Sequence, residues 1–261
     1  MYLVIGPGAM HIFAFLGVVA AIGTENIDEV SGSSAGSILG FLICLGKTID
    51  EIKEFLFSID LVHYSKVNIA SLIFKFGLIP HGPIKKLFVD FCGGKNPTFK
   101  DLPKKLHVAA YCVNKMETEY FSVDNTPDMS VIDAMCMSIS VPFMFESTTY
   151  NTFTYIDGGT RESIPYMAFL HRDPKDVIII KHETQRTHVP EIKNIKDFIF
   201  GLVKVALTSF IEYHNAHASK IVSLDLCDVD QFDFSMEYET KLKLYLFGYA
   251  SATCNHSGLA K

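Results

Sequence analysis

Tryptophan is absent from this chain of 261 residues, and no two of its six cysteines form a Cys-x-x-Cys pair. That spacing is typical of zinc sites and dithiol redox motifs, and no tight group of cysteines and histidines takes its place. We therefore expect neither a metal ion nor a cofactor. Several cysteines lie in apolar runs, as Cys44 and Cys112 do, which predicts buried free thiols and suits a reducing compartment.

Basic residues are scarce relative to acidic ones, 23 against 29, and the net charge is −6. The basic runs that stand out are two lysine pairs, at 85–86 and 104–105. A nucleic-acid-binding domain needs a concentrated positive surface. The composition therefore argues against nucleic acid as a partner.

The hydrophobic runs are too short to cross a bilayer. The apolar stretch at 12–22 has about 11 residues, whereas a spanning helix needs about 20. The first residues carry no positively charged region and lead directly into Gly6-Pro7-Gly8, which predicts a first strand and not a signal peptide. We expect a cytoplasmic protein whose membrane contact, if any, is peripheral.

Apolar patterning predicts alternating strands and helices, which indicates one α/β domain over 1–261 around a largely parallel sheet. The predicted strands cover 2–5, 27–31, 106–113, 119–123, 152–156, 176–180 and 221–225. The predicted helices cover 11–22, 36–46, 49–57, 84–91, 131–139, 194–219 and 237–253. Hydrophobic residues make up 49% of the chain, enough for a sizeable core.

One pentapeptide, Gly32-Ser33-Ser34-Ala35-Gly36, lies between a predicted strand and a predicted helix. This Gly-x-Ser-x-Gly pattern is typical of a nucleophile elbow, in which a strained serine is exposed on a sharp turn and small neighbours let the chain pass close to itself. The N-terminus of the following helix adds partial positive charge beside the hydroxyl. A plain tight turn explains an isolated match equally well.

Two further segments supply what a serine nucleophile needs, a base and donors for an oxyanion. Asp157 ends a predicted strand and is followed by Gly158-Gly159, although Asp-Gly-Gly also suits a simple turn. The loop at 6–10 follows the first strand, and its N–H groups can form an anion-binding nest. Pro7 has no N–H, so the donors must come mainly from Gly8, Ala9 or Met10.

Taken in this order, the three segments resemble the patatin-like phospholipases, which include the cytosolic group-four-type acyl hydrolases. That family has a glycine-rich oxyanion loop, a Gly-x-Ser-x-Gly elbow and a downstream Asp-Gly-Gly or Asp-Gly-Ala. The segment 133–145 resembles the family sequence before the Asp strand, and 163–165 stands where the family usually has Asn-x-Pro. Segments 233–235 and 247–250 resemble its C-terminal part more weakly.

The resemblance implies a three-layer α/β/α sandwich and an acyl hydrolase acting on phospholipid or other acyl-lipid esters. It implies a Ser–Asp dyad without a histidine. The implied site residues are the catalytic Ser34 and Asp157, the elbow glycines Gly32 and Gly36, and the oxyanion donors Gly8, Ala9 and Met10.

The loop at 6–11 departs from the family pattern Gly-Gly-Gly-x-Lys/Arg-Gly. Pro7 replaces a glycine, Met10 the basic residue and His11 the last glycine. Loss of the positive charge weakens attraction for a phosphate unless His11 is protonated. The alternative is therefore a catalytically weak or inactive lipid-binding or regulatory protein.

Two other chemistries are less consistent with the sequence. His171, His182 or His188 follows Asp157 in the chain, as the base of a Ser-Asp-His triad does, although each is explained by an ordinary surface or loop position. A nucleotide site is disfavoured, because neither glycine-rich loop has the lysine that precedes Ser or Thr in a P-loop.

Two apolar segments bear on membrane contact. The segment 195–211 suits an interfacial helix, but a core helix is favoured. The segment 61–79 carries Phe74 and Phe76 among other apolar residues, and it is the better candidate for a lid or a membrane-docking element.

Overall fold

The computed structural model describes residues 1–183, 191–194, 197–199, 201–202, 218 and 220–254. Within them, the strands are β1 (Tyr2–Ile5), β2 (Glu29–Ser33), β3 (Gly77–Ile79), β4 (Lys105–Cys112), β5 (Glu117–Phe121), β6 (Phe143–Phe145), β7 (Thr148–Tyr150), β8 (Phe153–Asp157), β9 (Val177–Glu183) and β10 (Lys220–Asp225). The helices are α1 (Ile12–Ile22), α2 (Ala35–Cys44), α3 (Ile49–Ser58), α4 (Leu61–Tyr64), α5 (Ile69–Lys75), α6 (Gly82–Phe91), α7 (Val131–Ser138) and α8 (Tyr238–Cys254).

Among the described residues, the central sheet has eight strands, seven of them in the order β10-β9-β1-β2-β4-β8-β7, while β5 pairs with β4. The run from β10 to β4 is parallel throughout. Strands β5, β8 and β7 add antiparallel pairings at the other end. The prediction of an α/β fold around a largely parallel sheet is confirmed.

Side chains on both faces of the parallel strands are buried, as expected where a sheet is covered on both sides. On β1, Leu3 and Ile5 belong to the main core beneath the helices. Val4 points to the opposite face, where it packs with Ile164 and Phe169. This two-sided burial is the pattern of an α/β/α sandwich.

Most predicted elements lie within a few residues of the observed ones, and local chemistry accounts for several boundaries. Thr48 caps α3 in a capping box with Glu51, and Ser130 caps α7 by accepting the Asp133 N–H. The predicted strand 27–31 begins two residues later, at Glu29, because the Ile27 N–H closes a turn on the Thr24 carbonyl at 3.3 Å. Most of the predicted helix 194–219 lies outside the described residues.

Candidate active site

Ser34 occupies the sharp turn between β2 and α2, with backbone angles of φ 53° and ψ −126°. A non-glycine residue with positive φ is strained, and such strain is found at functional turns. A Cβ on Gly32 would lie 2.4 Å from the Gly36 carbonyl oxygen, and one on Gly36 would lie 2.2 Å from that of Ile5. Both elbow glycines are therefore required for the close approach of β2, α2 and the end of β1.

The backbone of Ser34 is fixed by two other serines. Its N–H donates to the Ser138 hydroxyl at 2.9 Å, and Ser138 in turn donates to the Ala109 carbonyl at 2.6 Å. Its carbonyl accepts the Ser37 hydroxyl at 2.6 Å. The strained turn is therefore over-determined by buried hydrogen bonds.

Asp157 reaches the same place from the opposite direction. The parallel pairing of β2 with β4 ends where Ser33 of β2 lies opposite Ala109 of β4. The antiparallel pairing of β8 with β4 ends at the next residue of β4, where Asp157 lies opposite Ala110. Because β5 occupies the other edge of β4, β2 and β8 share one edge and their carboxyl ends meet. The predicted end-of-strand position of Asp157 is correct, but the strand that carries it is antiparallel to β4.

The Asp157 carboxyl is fully buried. Its Oδ1 accepts the Gly159 N–H at 2.7 Å, whereas Oδ2 has no hydrogen-bond partner among the described residues. Burial raises the pKa of Asp157 to about 7, and the Ser34 hydroxyl and the Gly159 N–H oppose that rise. A carboxyl that titrates near neutrality beside a serine hydroxyl has the properties of a general base.

Within the described part of the chain, the loop after β1 leaves two N–H groups without a partner. Gly6 donates to the Ile180 carbonyl and Met10 to that of Gln231, both at 3.0 Å. The N–H groups of Gly8 and Ala9 have no partner among the described residues. The structure therefore removes Met10 from the predicted oxyanion donors, because the segment around Gln231 already holds its N–H.

His11 is buried and cannot supply the missing positive charge. Desolvation lowers its pKa, and its Nε2 lies 3.1 Å from the Val229 carbonyl oxygen. It packs edge-on against His182, with 4.9 Å between the ring centroids. The condition under which His11 would replace the lost positive charge, its protonation, is therefore disfavoured by its burial.

The histidines proposed as triad bases are placed as follows. Burial lowers the pKa of His182 to about 3, and its backbone contact is with Pro7. His171 is exposed on the surface, and His188 lies outside the described residues. Neither His171 nor His182 lines the cavity that Ser34 enters.

Ser34 opens into an apolar cavity of about 130 Å³. Ala9 and Ala35 lie beside it, and the remaining lining is mostly aliphatic and aromatic. The wall comes from α1, α2, α3, α4 and α6, the turn after α7, and the segment before α8; it includes Ile38, Leu56, Leu61, Tyr64, Leu87, Phe88, Ile139, Val141 and Phe234. Such a space suits an apolar group.

Sequence reasoning missed two contacts at this site. Ser138 lies within the segment 133–145, and that motif carries no sign that the Ser138 hydroxyl accepts the Ser34 N–H. The backbone carbonyl of Gln231 accepts the Met10 N–H. A backbone–backbone contact of this kind does not depend on side-chain identity, so the sequence does not indicate it. Within the described part of the chain, no helix is long and apolar enough to cross a membrane, and no cluster of His, Cys, Asp or Glu could hold a metal ion.

The chain belongs to the patatin-like phospholipase family, whose model matches residues 3–170. It is 28% identical to a probable lipid hydrolase, 463L, of Invertebrate iridescent virus 6, over 62% of this chain and 61% of that protein. It is also 28% identical to the uncharacterized protein R571 of Acanthamoeba polyphaga mimivirus, over 95% of this chain and 91% of the relative. The family is one of lipid acyl hydrolases.

Solved structures share the fold. VipD of Legionella pneumophila matches with a TM-score of 0.67 and 16% identity, over 98% of this chain and 66% of VipD. The type III effector ExoU matches with a TM-score of 0.56 and 16% identity, over 98% of this chain and 52% of ExoU. The chain thus spans 66% of the length of VipD and about half of that of ExoU. At this low identity, the similarity shows a shared fold.

Proposed function

We propose that the protein is a serine acyl-ester hydrolase of the phospholipase A or lipid acyl hydrolase type, with Ser34 and Asp157 as a catalytic dyad. The observation that carries the proposal is the meeting of two strand ends. One presents a strained serine to an apolar cavity, and the other presents a buried carboxyl with an unpaired oxygen.

In the first half of the reaction, the Ser34 Oγ attacks the ester carbonyl carbon. Asp157 accepts the hydroxyl proton and then gives it to the departing alcohol as the acyl-enzyme forms. In the second half, Asp157 takes a proton from water, and the resulting hydroxide attacks the acyl-enzyme. The bond between the acyl carbon and Ser34 Oγ then breaks, Asp157 returns its proton to Oγ, and the fatty acid leaves. No histidine is needed, because the raised pKa of Asp157 makes it a better base than an exposed carboxylate.

The oxyanion is assigned to the free N–H groups of Gly8 and Ala9, with that of Ala35 at the start of α2 as a third candidate. The Ser34 N–H is excluded by its bond to Ser138. Oxyanion donors of this kind contribute roughly 3–4 kcal/mol each to transition-state stability. The apolar cavity beside Ser34 and Ala9 is assigned to the acyl chain.

A fluorophosphonate probe and an ester panel test this function. The probe should label the wild-type protein, and Ser34→Ala should abolish both labelling and ester hydrolysis. Ser33→Ala is the matched control, since the neighbouring Ser33 hydroxyl is buried and should leave the reaction intact. Equal labelling of Ser34→Ala and wild type would overturn the assignment.

The second candidate is a lipid-binding protein with weak or lost activity. It is favoured by the loop itself, in which Pro7 has no N–H and the Met10 N–H is held by Gln231. A folded wild-type protein that binds a fatty acid in the cavity but is not labelled at Ser34 would favour this candidate.

A further inference from the structure

The segment 61–79 connects α3 to α6 and displays apolar side chains to the outside. Six large apolar residues there are more than half exposed: Val62, Val67, Ile69, Ile73, Phe74 and Phe76. We call these six residues the apolar shoulder. Elsewhere in the described residues, four large apolar side chains are that exposed. Exposed apolar groups concentrated in this way mark an interaction surface.

Helix α5 has the reverse of the usual amphipathic arrangement. A surface helix normally buries its apolar side chains and exposes its polar ones. Here Ser71 is buried and donates its hydroxyl to Glu146 at 3.3 Å, while Ile69, Ile73 and Phe74 face outward. The outward position of Phe74, 79% exposed, therefore follows from how the helix is attached.

Several contacts attach the segment to the body of the protein. Glu146 accepts the His81 N–H at 3.0 Å and lies 2.9 Å from the Lys75 ammonium. Ser147 donates its N–H to the Lys75 carbonyl at 2.8 Å, and β3 pairs with β6. The apolar shoulder is thus held outward by the fold, so little ordering cost remains to be met on binding.

The shoulder adjoins the cavity that contains Ser34. Leu61, Tyr64 and Ser65 are half-buried residues of the same segment, and all three line the cavity. An apolar surface placed over the shoulder would therefore be continuous with the proposed acyl-chain site.

The charge of the segment favours an anionic lipid surface as the occupant. Residues 61–79 contain two lysines, Lys66 and Lys75, and no aspartate or glutamate, although the whole chain has a net charge of −6. Both lysines are exposed; Lys75 is paired with Glu146, whereas Lys66 has no ion-pair partner among the described residues. Exposed apolar side chains with lysines at their margin are the composition of an interfacial segment.

We propose that the apolar shoulder docks on an anionic phospholipid bilayer and brings the mouth of the Ser34 cavity against the lipid. The proposal deepens the proposed function, because the docked bilayer would be the source of the ester. Docking itself needs no catalysis and is tested separately.

The first measurement is co-sedimentation with vesicles of equal parts phosphatidylcholine and phosphatidylglycerol. Ile73→Ser combined with Phe74→Ser should weaken binding by roughly 10- to 100-fold, since each removes an apolar side chain from the lipid. Leu246→Ser combined with Phe247→Ser is the matched control, because it alters two exposed apolar residues on α8. Its binding should equal that of the wild type.

The second measurement is hydrolysis of a short, water-soluble monomeric ester. The shoulder variant should keep wild-type turnover of this ester and lose turnover of the vesicle lipid. Equal loss on both substrates would place Ile73 and Phe74 in the cavity machinery and overturn docking. Vesicle binding by a wild-type protein that hydrolyses neither substrate would retain docking and reject the hydrolase.

A third measurement needs no variant. Amide hydrogen exchange in 61–79 should slow when vesicles are added and should change less with phosphatidylcholine alone. The proposal would be overturned if vesicles gave no protection, or if the shoulder variant bound vesicles as tightly as the wild type. It would also be overturned if sedimentation velocity showed a dimer that the same substitutions dissociate.

Discussion

The hydroxyl of Ser138 accepts the backbone N–H of Ser34 at 2.9 Å, which ties the end of α7 to the elbow. Two residues later, the carbonyl of Ser140 accepts the backbone N–H of Asp157, also at 2.9 Å. One short segment therefore holds the backbones of both proposed dyad residues. The spacing of nucleophile and base depends on 138–140 as well as on the strands that carry them.

Replacing Ser138 by Ala should lower the rate without changing substrate binding. The buried Ser34 N–H would lose its acceptor, which costs about 1–3 kcal/mol of stability. The small displacement of the elbow should reduce kcat roughly 10- to 100-fold while KM stays the same. Ester kinetics and chemical denaturation measure the two effects.

Ser31→Ala is the control for this experiment. The Ser31 hydroxyl is equally buried and donates to the Pro165 carbonyl at 2.6 Å, on the second face of the sheet. It should lose similar stability and keep kcat. A matched fall in kcat for both variants would show that the effect of Ser138 is general destabilisation.

The rate of hydrolysis should depend on the ionisation of Asp157. The base form is the carboxylate, and burial raises its pKa to about 7. With a soluble ester, kcat/KM should therefore rise with pH, reach half of its maximum near pH 7 and level off at higher pH. A profile already flat from pH 5 upward would contradict the role of Asp157 as base.

The same raised pKa predicts that Asp157 costs stability. The folded protein holds this proton more tightly than the unfolded chain, so stability falls as pH rises from the ordinary value of 3.8 through about 7. Asp157→Asn should therefore be inactive, yet more stable than the wild type at pH 8, with the difference shrinking towards pH 4. Thermal unfolding across this range measures it, and a less stable variant at pH 8 would contradict it.

Removal of His182 should not abolish hydrolysis. Burial lowers its pKa to about 3, and the side chain lies against Pro7 and His11. His182→Gln retains a side-chain N–H and should keep turnover within about 10-fold of the wild type. Loss of a triad base costs about 10⁶-fold in a serine protease, so a fall of that size would replace the dyad with a triad. His171→Ala, at an exposed position, serves as the control.

Replacing Ala9 by Gly should stabilise the loop after β1. Ala9 has a φ of 43°, a conformation that glycine adopts without strain. Ala9→Gly should raise the free energy of unfolding by about 0.5–1 kcal/mol and preserve the N–H proposed for the oxyanion. Ala20→Gly, within α1, should destabilise by about 1 kcal/mol. A lower kcat in Ala9→Gly would indicate that the strain itself positions the donor.

The α/β class and most positions of the helices and strands could be predicted from the sequence, because hydrophobic periodicity and glycine spacing are local signals. The three motifs could be recognised from the sequence for the same reason. Three features depend on tertiary contacts and could not be predicted. They are the antiparallel direction of β8, the hydrogen bond from Met10 to Gln231 and the burial that keeps His11 neutral. The hydrogen bond to Gln231 removes the Met10 N–H from the candidate oxyanion donors, and the burial of His11 removes a positive charge from the loop. Both conclusions needed the structure.

Enlarging Ile38 should shorten the acyl chains that the protein accepts. Ile38 lies one helical turn after Ser34 on α2, and both residues line the cavity of about 130 Å³. Ile38→Phe adds side-chain volume close to the scissile ester, so kcat/KM for long-chain esters should fall by roughly 10-fold or more while short-chain esters change little. Ile22→Phe, outside the cavity at the end of α1, is the control. A uniform loss across all chain lengths would mean that the acyl group binds elsewhere.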